Sequence, residues 1–205
     1  MAALLESLLE AQSSDVEVLY PPIQFSMVLP GVYRSGHPGK SNFPYLETLK
    51  LKSIMYLCTD DYRHDTHTWA LEKGLNIFHL RIEVSKDPTV EVDEGMVKEA
   101  LEKVLDKRNL PILIHDNKGR LMPSLVSSLL RLVCGWTLDA ALHEYRLFLP
   151  PVDYGPEDAH ASDEASQKKA KKKEKERIAD IQFIDRFPVD QLSYDPDYAP
   201  YWLNR

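Results

Sequence analysis

The stretch Pro111–Ser124 reads PILIHDNKGRLMPS, and its pattern decides the fold. It opens with the apolar run PILI, which is typical of a strand that is buried on both faces. The polar residues 116–120 with one glycine follow, and then a helix whose apolar positions start at Leu125. Because a strand, a compact loop and a helix N-terminus direct backbone N–H groups into one concavity, this stretch predicts an anion-binding geometry.

Short strands and amphipathic helices alternate along the rest of the chain. Strands are predicted at 53–58 and 76–82, Val32-Tyr33 follows a Pro30-Gly31 turn, and the helices between these segments follow from apolar spacing. The predicted helix caps are Ser41, Asp93 and Thr137 at N-termini and Gly74 at the end of a helix over 66–73. This alternation predicts an α/β fold with a parallel-rich central sheet and helices on both faces. Ligands of such sheets bind at the carboxyl ends of the strands.

Composition excludes several classes of protein. Of 205 residues, 43% are hydrophobic, which is enough for a core and excludes a wholly disordered chain. The net charge of −7 argues against a surface that coats nucleic acid or membranes, and no apolar run is long enough to span a bilayer. The two cysteines, Cys58 and Cys134, are expected in a strand and a helix of the core. We expect a soluble intracellular protein, since the N-terminus lacks the features of a secretory signal.

Charge patterning divides the chain. A short amphipathic extension is expected over 1–20, and a folded body over 21–187 with a charged flexible insertion at about 153–176. The tail over 188–205 is rich in aromatic residues, so we expect it to lie against this protein or a partner. Residues 168–177 carry seven basic and two acidic side chains. A nucleic-acid patch, a lipid patch and a nuclear-import signal remain open for this block, and a solvated loop is the favoured interpretation.

The body resembles the plant and fungal atypical dual-specificity phosphatases, a group that includes inositol pyrophosphate phosphatases and the fungal oxidant-induced cell-cycle-arrest proteins. The resemblance covers residues 21–187 apart from the insertion. It is carried by PPIQFSMVLPGVYRSGHP at 21–38, NFPYLETLKLKSI at 42–54, KDP at 86–88, ALEKVLD at 100–106, PILIH at 111–115, EYRLF at 144–148 and FID at 183–185. It implies a tyrosine-phosphatase-like sheet and a signature loop after the strand at 111–114.

The signature loop of that family reads His-Cys-x5-Arg, and this chain departs from it at both chemical positions. Aligned through His115, the nucleophilic cysteine falls at Asp116 and the phosphate-clamping arginine falls at Met122. The reaction needs a thiolate to attack phosphorus and a guanidinium to hold the phosphoryl oxygens. The resemblance therefore implies a degenerate loop over 115–122 with no catalytic residue.

These observations favour a pseudophosphatase that acts as a scaffold or regulatory subunit. The resemblance implies related phosphatase-family partners in a cytoplasmic hetero-oligomeric complex, with a link to inositol pyrophosphate signalling. A first alternative is a module that binds a phosphorylated inositol without hydrolysis through Asn117, Lys118, Gly119 and Arg120. A second is a phosphatase with residual activity through a mechanism without cysteine, but an Asp116 nucleophile is disfavoured because residues 117–120 supply no second carboxylate.

No cofactor, metal or nucleic-acid partner is predicted. The histidines are too scattered in sequence to predict a metal site; they are His37, His64, His67, His79 and His143. Asp87 aligns near the acidic residues that related phosphatases place over their sites, and a loop carboxylate before Pro88 is the favoured interpretation.

Overall fold

The computed structural model describes residues 18–83, 92–149, 175 and 177–203. These residues form one five-stranded sheet with the order β1-β2-β5-β3-β4, in which β1 is antiparallel to β2 and all other neighbours are parallel. The strands are β1 (Ser26–Leu29), β2 (Val32–Ser35), β3 (Ser53–Leu57), β4 (Asn76–Leu80) and β5 (Ile112–His115). The mostly parallel sheet confirms the predicted α/β class, with β5 at its centre.

Six helices accompany the sheet in the described residues. They are α1 (Phe43–Thr48), α2 (His64–Glu72), α3 (Glu94–Val104), α4 (Leu121–Val133), α5 (Leu138–Leu147) and α6 (177–186). The predicted caps of α3 and α5 are confirmed, since Asp93 accepts from the Met96 amide and Thr137 from the Ala140 amide.

Two predicted helix starts were wrong. Ser41 does not cap a helix, because it lies in a short 3-10 turn over Lys40–Asn42 and α1 follows Asn42 directly. The second helix begins at His64, two residues before the predicted start at 66, with Arg63 as an N-cap that makes no side-chain bond. Gly74 ends this region at a φ of +69°, as its predicted role at a helix end requires.

Alternate residues of the central strands face two separate apolar clusters. Ile112 and Ile114 of β5 contact the cluster of α3–α6, while Leu113 between them contacts the cluster of α1 and α2. Successive side chains of a strand point to opposite faces, so a strand covered on both sides is apolar at every position. Helices thus cover both faces of the sheet.

The structure also differs from the sequence analysis at β1 and at the cysteines. The edge strand β1 was missed because its four residues, SMVL, give no long apolar run. Cys58 lies just after β3 and Cys134 at the C-cap of α4, and both are half-buried rather than core residues.

The aromatic tail packs on the folded body, as expected for a tail with so many rings. Trp202 donates from Nε1 to the carbonyl of Pro30 at 3.2 Å, and Leu203 is buried beside Leu105 and Val133. Most of the insertion at 153–176, all of residues 1–17 and Asp87 lie outside the described residues.

Candidate functional site

The predicted anion loop lies where the parallel strands end. Residues 116–120 connect β5 to α4, and the backbone amide of His37 donates to the carbonyl of Asn117 at 3.4 Å from the neighbouring end of β2. Gly119 has a φ of +71°, and a Cβ there would overlap the backbone of Gly36. A side chain at 119 is therefore excluded by sterics as well as by conformation.

The Asp116 carboxylate occupies the concavity that the loop amides form. Its Oδ1 accepts from the backbone N–H of Lys118 at 2.8 Å and from that of Gly119. Burial raises the pKa of Asp116, and hydrogen bonds from the backbone amides of Gly119, Lys118, Met122 and Arg120 oppose that rise. The amides that would receive a ligand's oxygen atoms are thus used by the chain's own side chain.

Met122 supplies no polar group to the loop. Its side chain is 1% exposed and packs in the core cluster on the α3–α6 face of the sheet. At the position where the family motif has a guanidinium, this chain therefore has an apolar contact in the interior.

Arg34 of β2 is a buried cation beneath the loop, and the sequence analysis missed it. Its Nη2 donates to the carbonyl of Gly119 at 2.7 Å and to Ser124 Oγ at 2.9 Å. Its guanidinium carbon lies 3.8 Å from the ring centroid of Phe148. Burial lowers the pKa of Arg34 to about 10, against the opposing charges of Glu144 and Asp116. The signal in the sequence was a single charged residue inside the strand VYRS.

Aromatic and imidazole rings stack behind the loop. Tyr62 Oη lies 3.1 Å from His115 Nε2, and the rings of Tyr56 and His115 stack at 5.0 Å. His37 and His79 also contact Tyr56, with ring centroids at 5.5 and 5.0 Å. Complete burial lowers the pKa of His115 to about 3, so this ring stays neutral at physiological pH. Sequence spacing did not predict this cluster, because each ring comes from a different strand or loop.

The four predicted ligand contacts do not act together. The side chain of Asn117 is already hydrogen-bonded within the chain: its Oδ1 accepts from Tyr56 Oη at 2.9 Å, and its Nδ2 donates to Asp60 Oδ2 at 2.6 Å. The Gly119 amide is used by Asp116, whereas Lys118 and Arg120 are exposed at the rim.

The residues that the structure describes contain neither a metal cluster nor a membrane-spanning helix. Within them, no three His, Cys, Asp or Glu side chains are arranged to hold a metal ion, although His37, His79 and His115 share one ring cluster. None of the helices in those parts of the chain has the length and hydropathy that crossing a membrane requires.

Comparisons with known proteins agree on one family. The profile of the Tyrosine phosphatase family matches residues 19–160. The chain is 32% identical to "Inositol diphosphatase DSP1" of Oryza sativa subsp. japonica, over 87% of this chain and 70% of that protein. It is 31% identical to "Inositol diphosphatase DSP4" of Arabidopsis thaliana, over 88% of this chain and 79% of that protein.

Solved structures show the same fold. The catalytic core of Siw14 is 30% identical, with a TM-score of 0.69 over 86% of this chain and 91% of that chain. A second structure, the core catalytic domain of the PP-IP phosphatase SIW14 from S. cerevisiae in complex with citrate, gives a TM-score of 0.67 at 29% identity, over 85% of this chain and 91% of that chain.

Proposed function

Since the chain belongs to the tyrosine phosphatase family, we propose that it is a catalytically inactive member that serves as a scaffold or regulatory subunit for related phosphatases. One observation carries this proposal: Asp116 and Met122 stand at the motif positions of the nucleophile and the phosphate clamp, and Met122 is buried in the core. A fold that is kept while its chemistry is lost favours a role in binding.

The two replaced residues allow an estimate of the loss in catalytic rate relative to an active phosphatase. Losing one electrostatic stabiliser typically costs about 10²–10³ in rate, and a carboxylate in place of a thiolate also removes the nucleophile. Catalysis by a carboxylate nucleophile is disfavoured because residues 117–120 supply no second carboxylate beside Asp116. We therefore expect turnover at least about 10⁴-fold below that of an active relative.

The proposed partners are related phosphatase-family chains in a cytoplasmic complex. Relatives that are named inositol diphosphatases connect this proposal to inositol pyrophosphate signalling. Residues 1–20 and the insertion at 153–176 are the proposed contact segments, because they depart from the minimal domain over 21–187. In the tail, Trp202 and Leu203 pack on the domain itself.

A second candidate is a module that binds a phosphorylated inositol without hydrolysing it. Lys118 and Arg120 favour it, since both are exposed cations at the rim of the loop. The Asp116 carboxylate in the amide concavity opposes it. We therefore rank it below the scaffold.

Two measurements test the proposal. Purified protein is assayed for phosphate release from a pyrophosphorylated inositol and from an aryl phosphate, with the yeast Siw14 catalytic core as the positive control. The chain is also captured from its native cell, and co-purifying proteins are identified by mass spectrometry. We expect no release above background and recovery of phosphatase-family chains. Turnover that Asp116→Ala abolishes, or a chain that purifies as a lone monomer, contradicts the proposal.

A further inference from the structure

The loop after β5 carries the parts of an oxyanion site together with an anion that already fills it. Asp116 Oδ1 accepts from two successive backbone amides, those of Lys118 and Gly119, at the N-terminus of the 13-residue helix α4. Successive amides at a helix N-terminus are the arrangement that proteins use to hold phosphate or sulfate.

A buried cation also lies against this loop. Arg34 is fully buried, and its guanidinium reaches the loop through the carbonyl of Gly119 and the hydroxyl of Ser124. Within the part of the chain that the structure describes, its Nε and Nη1 have no hydrogen-bond partner. A buried guanidinium with unused donors is costly unless a negative charge lies close by. The charge of Glu144, and after it that of Asp116, acts on Arg34 in that way.

We infer that the Asp116 carboxylate is an autoinhibitory ligand of this loop, which holds a phosphate-binding concavity shut above Arg34. The inference rests on the proposed function in one respect, namely that the loop contains no nucleophile and binds without reacting. It assigns to Asp116 a role that goes beyond the loss of cysteine: the side chain competes with an external oxyanion for the same amides.

The competition has two components. The carboxylate takes up the N–H donors of Lys118 and Gly119, so an incoming oxyanion finds them already bonded. It also places a negative charge where the oxyanion would arrive, and like charges in contact typically weaken binding by about 100-fold or more. Removing the side chain relieves both components, whereas removing a carboxylate elsewhere at the same edge relieves neither.

The experiment compares inorganic phosphate binding by the full chain, Asp116→Ala and Asp61→Ala. Asp61 is the matched control because it is an exposed carboxylate of the β3–α2 loop, paired with Arg81 at 2.8 Å. Thermal unfolding is followed with increasing phosphate, against sodium chloride at equal ionic strength. Asp116→Ser serves as a second opened variant in case the alanine variant does not fold, since its short hydroxyl side chain leaves the concavity free.

We expect phosphate to bind Asp116→Ala or Asp116→Ser at least about 100-fold more tightly than the unsubstituted chain. At ten times the Kd of the opened variant, phosphate should raise its Tm by about 3–6 °C and leave the other two proteins unchanged. Equal stabilisation of all three proteins, no stabilisation of either opened variant, or a shift in Asp61→Ala of the same size overturns the inference. Phosphate release from a substrate would instead contradict the proposed function, so the two failures are distinguishable.

Discussion

Asp116 and the cysteine of the family motif differ in what they require from the surrounding amides. A thiolate uses the amides to stabilise its charge before it attacks, whereas the Asp116 carboxylate is a hydrogen-bond acceptor that two of them already satisfy. The sequence alone showed that a carboxylate stands at 116, where the family motif has its cysteine. It did not predict the cation beneath, because one arginine in a short strand gives no indication of which loop will cover it.

The pH dependence of stability provides a test at Asp116. Burial raises the pKa of this carboxyl in the folded chain, so the folded state binds its proton more tightly than the unfolded state does. Its contribution to the free energy of unfolding therefore falls as the pH rises from the ordinary value of 3.8 through the raised one.

Asp116→Asn keeps an acceptor at this position and removes the titration. We expect it to gain stability over the unsubstituted chain between pH 4 and pH 7, measured by urea unfolding at each pH. A variant that is less stable at pH 7, with a deficit that grows as the pH rises, would show that the amides outweigh burial.

Arg34 tests the support of the loop. Arg34→Met keeps the length of the side chain but leaves the carbonyl of Gly119 and the hydroxyl of Ser124 without their donor. We expect a loss of about 2–4 kcal/mol in the free energy of unfolding, measured by urea titration.

The control for this change is Arg63→Met, which removes an exposed cation from the same edge of the sheet. Its effect should stay within about 0.5 kcal/mol. Equal effects of the two substitutions would mean that Arg34 does not hold the loop.

Among the secondary-structure elements, the sequence predicted those whose formation depends on neighbouring residues, namely the buried strands and the capped helices. The strands β3, β4 and β5 were located from the sequence, and Asp93 and Thr137 were assigned correctly as N-caps. The edge strand β1 was missed, because the pairing with β2 that defines it is tertiary and its register shifts between Met27 and Leu29.

The N-cap of α3 gives a prediction at this scale. Asp93 Oδ1 accepts from the Met96 amide at 3.1 Å, so Asp93→Ala should lower the free energy of unfolding by about 1 kcal/mol. Glu99→Ala, at an exposed position in the middle of the same helix, should change it by less than about 0.5 kcal/mol. Matching urea midpoints for the two variants would rule out a capping role.

Considering the whole molecule, the local sequence pattern does not predict where the C-terminal tail packs or which aromatic and imidazole rings come into contact. The tail was expected to pack because it is aromatic, but nothing in its sequence showed that Trp202 would reach the carbonyl of Pro30, 172 positions away. In the same way, His37, Tyr56, Tyr62 and His115 meet only because β2, β3 and β5 end at one edge.

The packing of the tail is tested with two neighbouring positions. Leu203 is 8% exposed, so Leu203→Ala should cost about 2–3 kcal/mol of stability. Tyr201 is 72% exposed, and Tyr201→Ala should cost less than about 0.5 kcal/mol. If thermal unfolding gives the two variants the same Tm, the tail does not contribute to the core.

We expect that the loop after β5 forms no phosphorylated enzyme intermediate. The direct measurement is intact-protein mass spectrometry after acid quenching of the chain during incubation with a pyrophosphorylated inositol, with the yeast Siw14 catalytic core treated in parallel. We expect a covalent phosphate on the Siw14 control and unmodified mass for this chain. A phosphate adduct on this chain that maps to residues 115–122 would contradict the account.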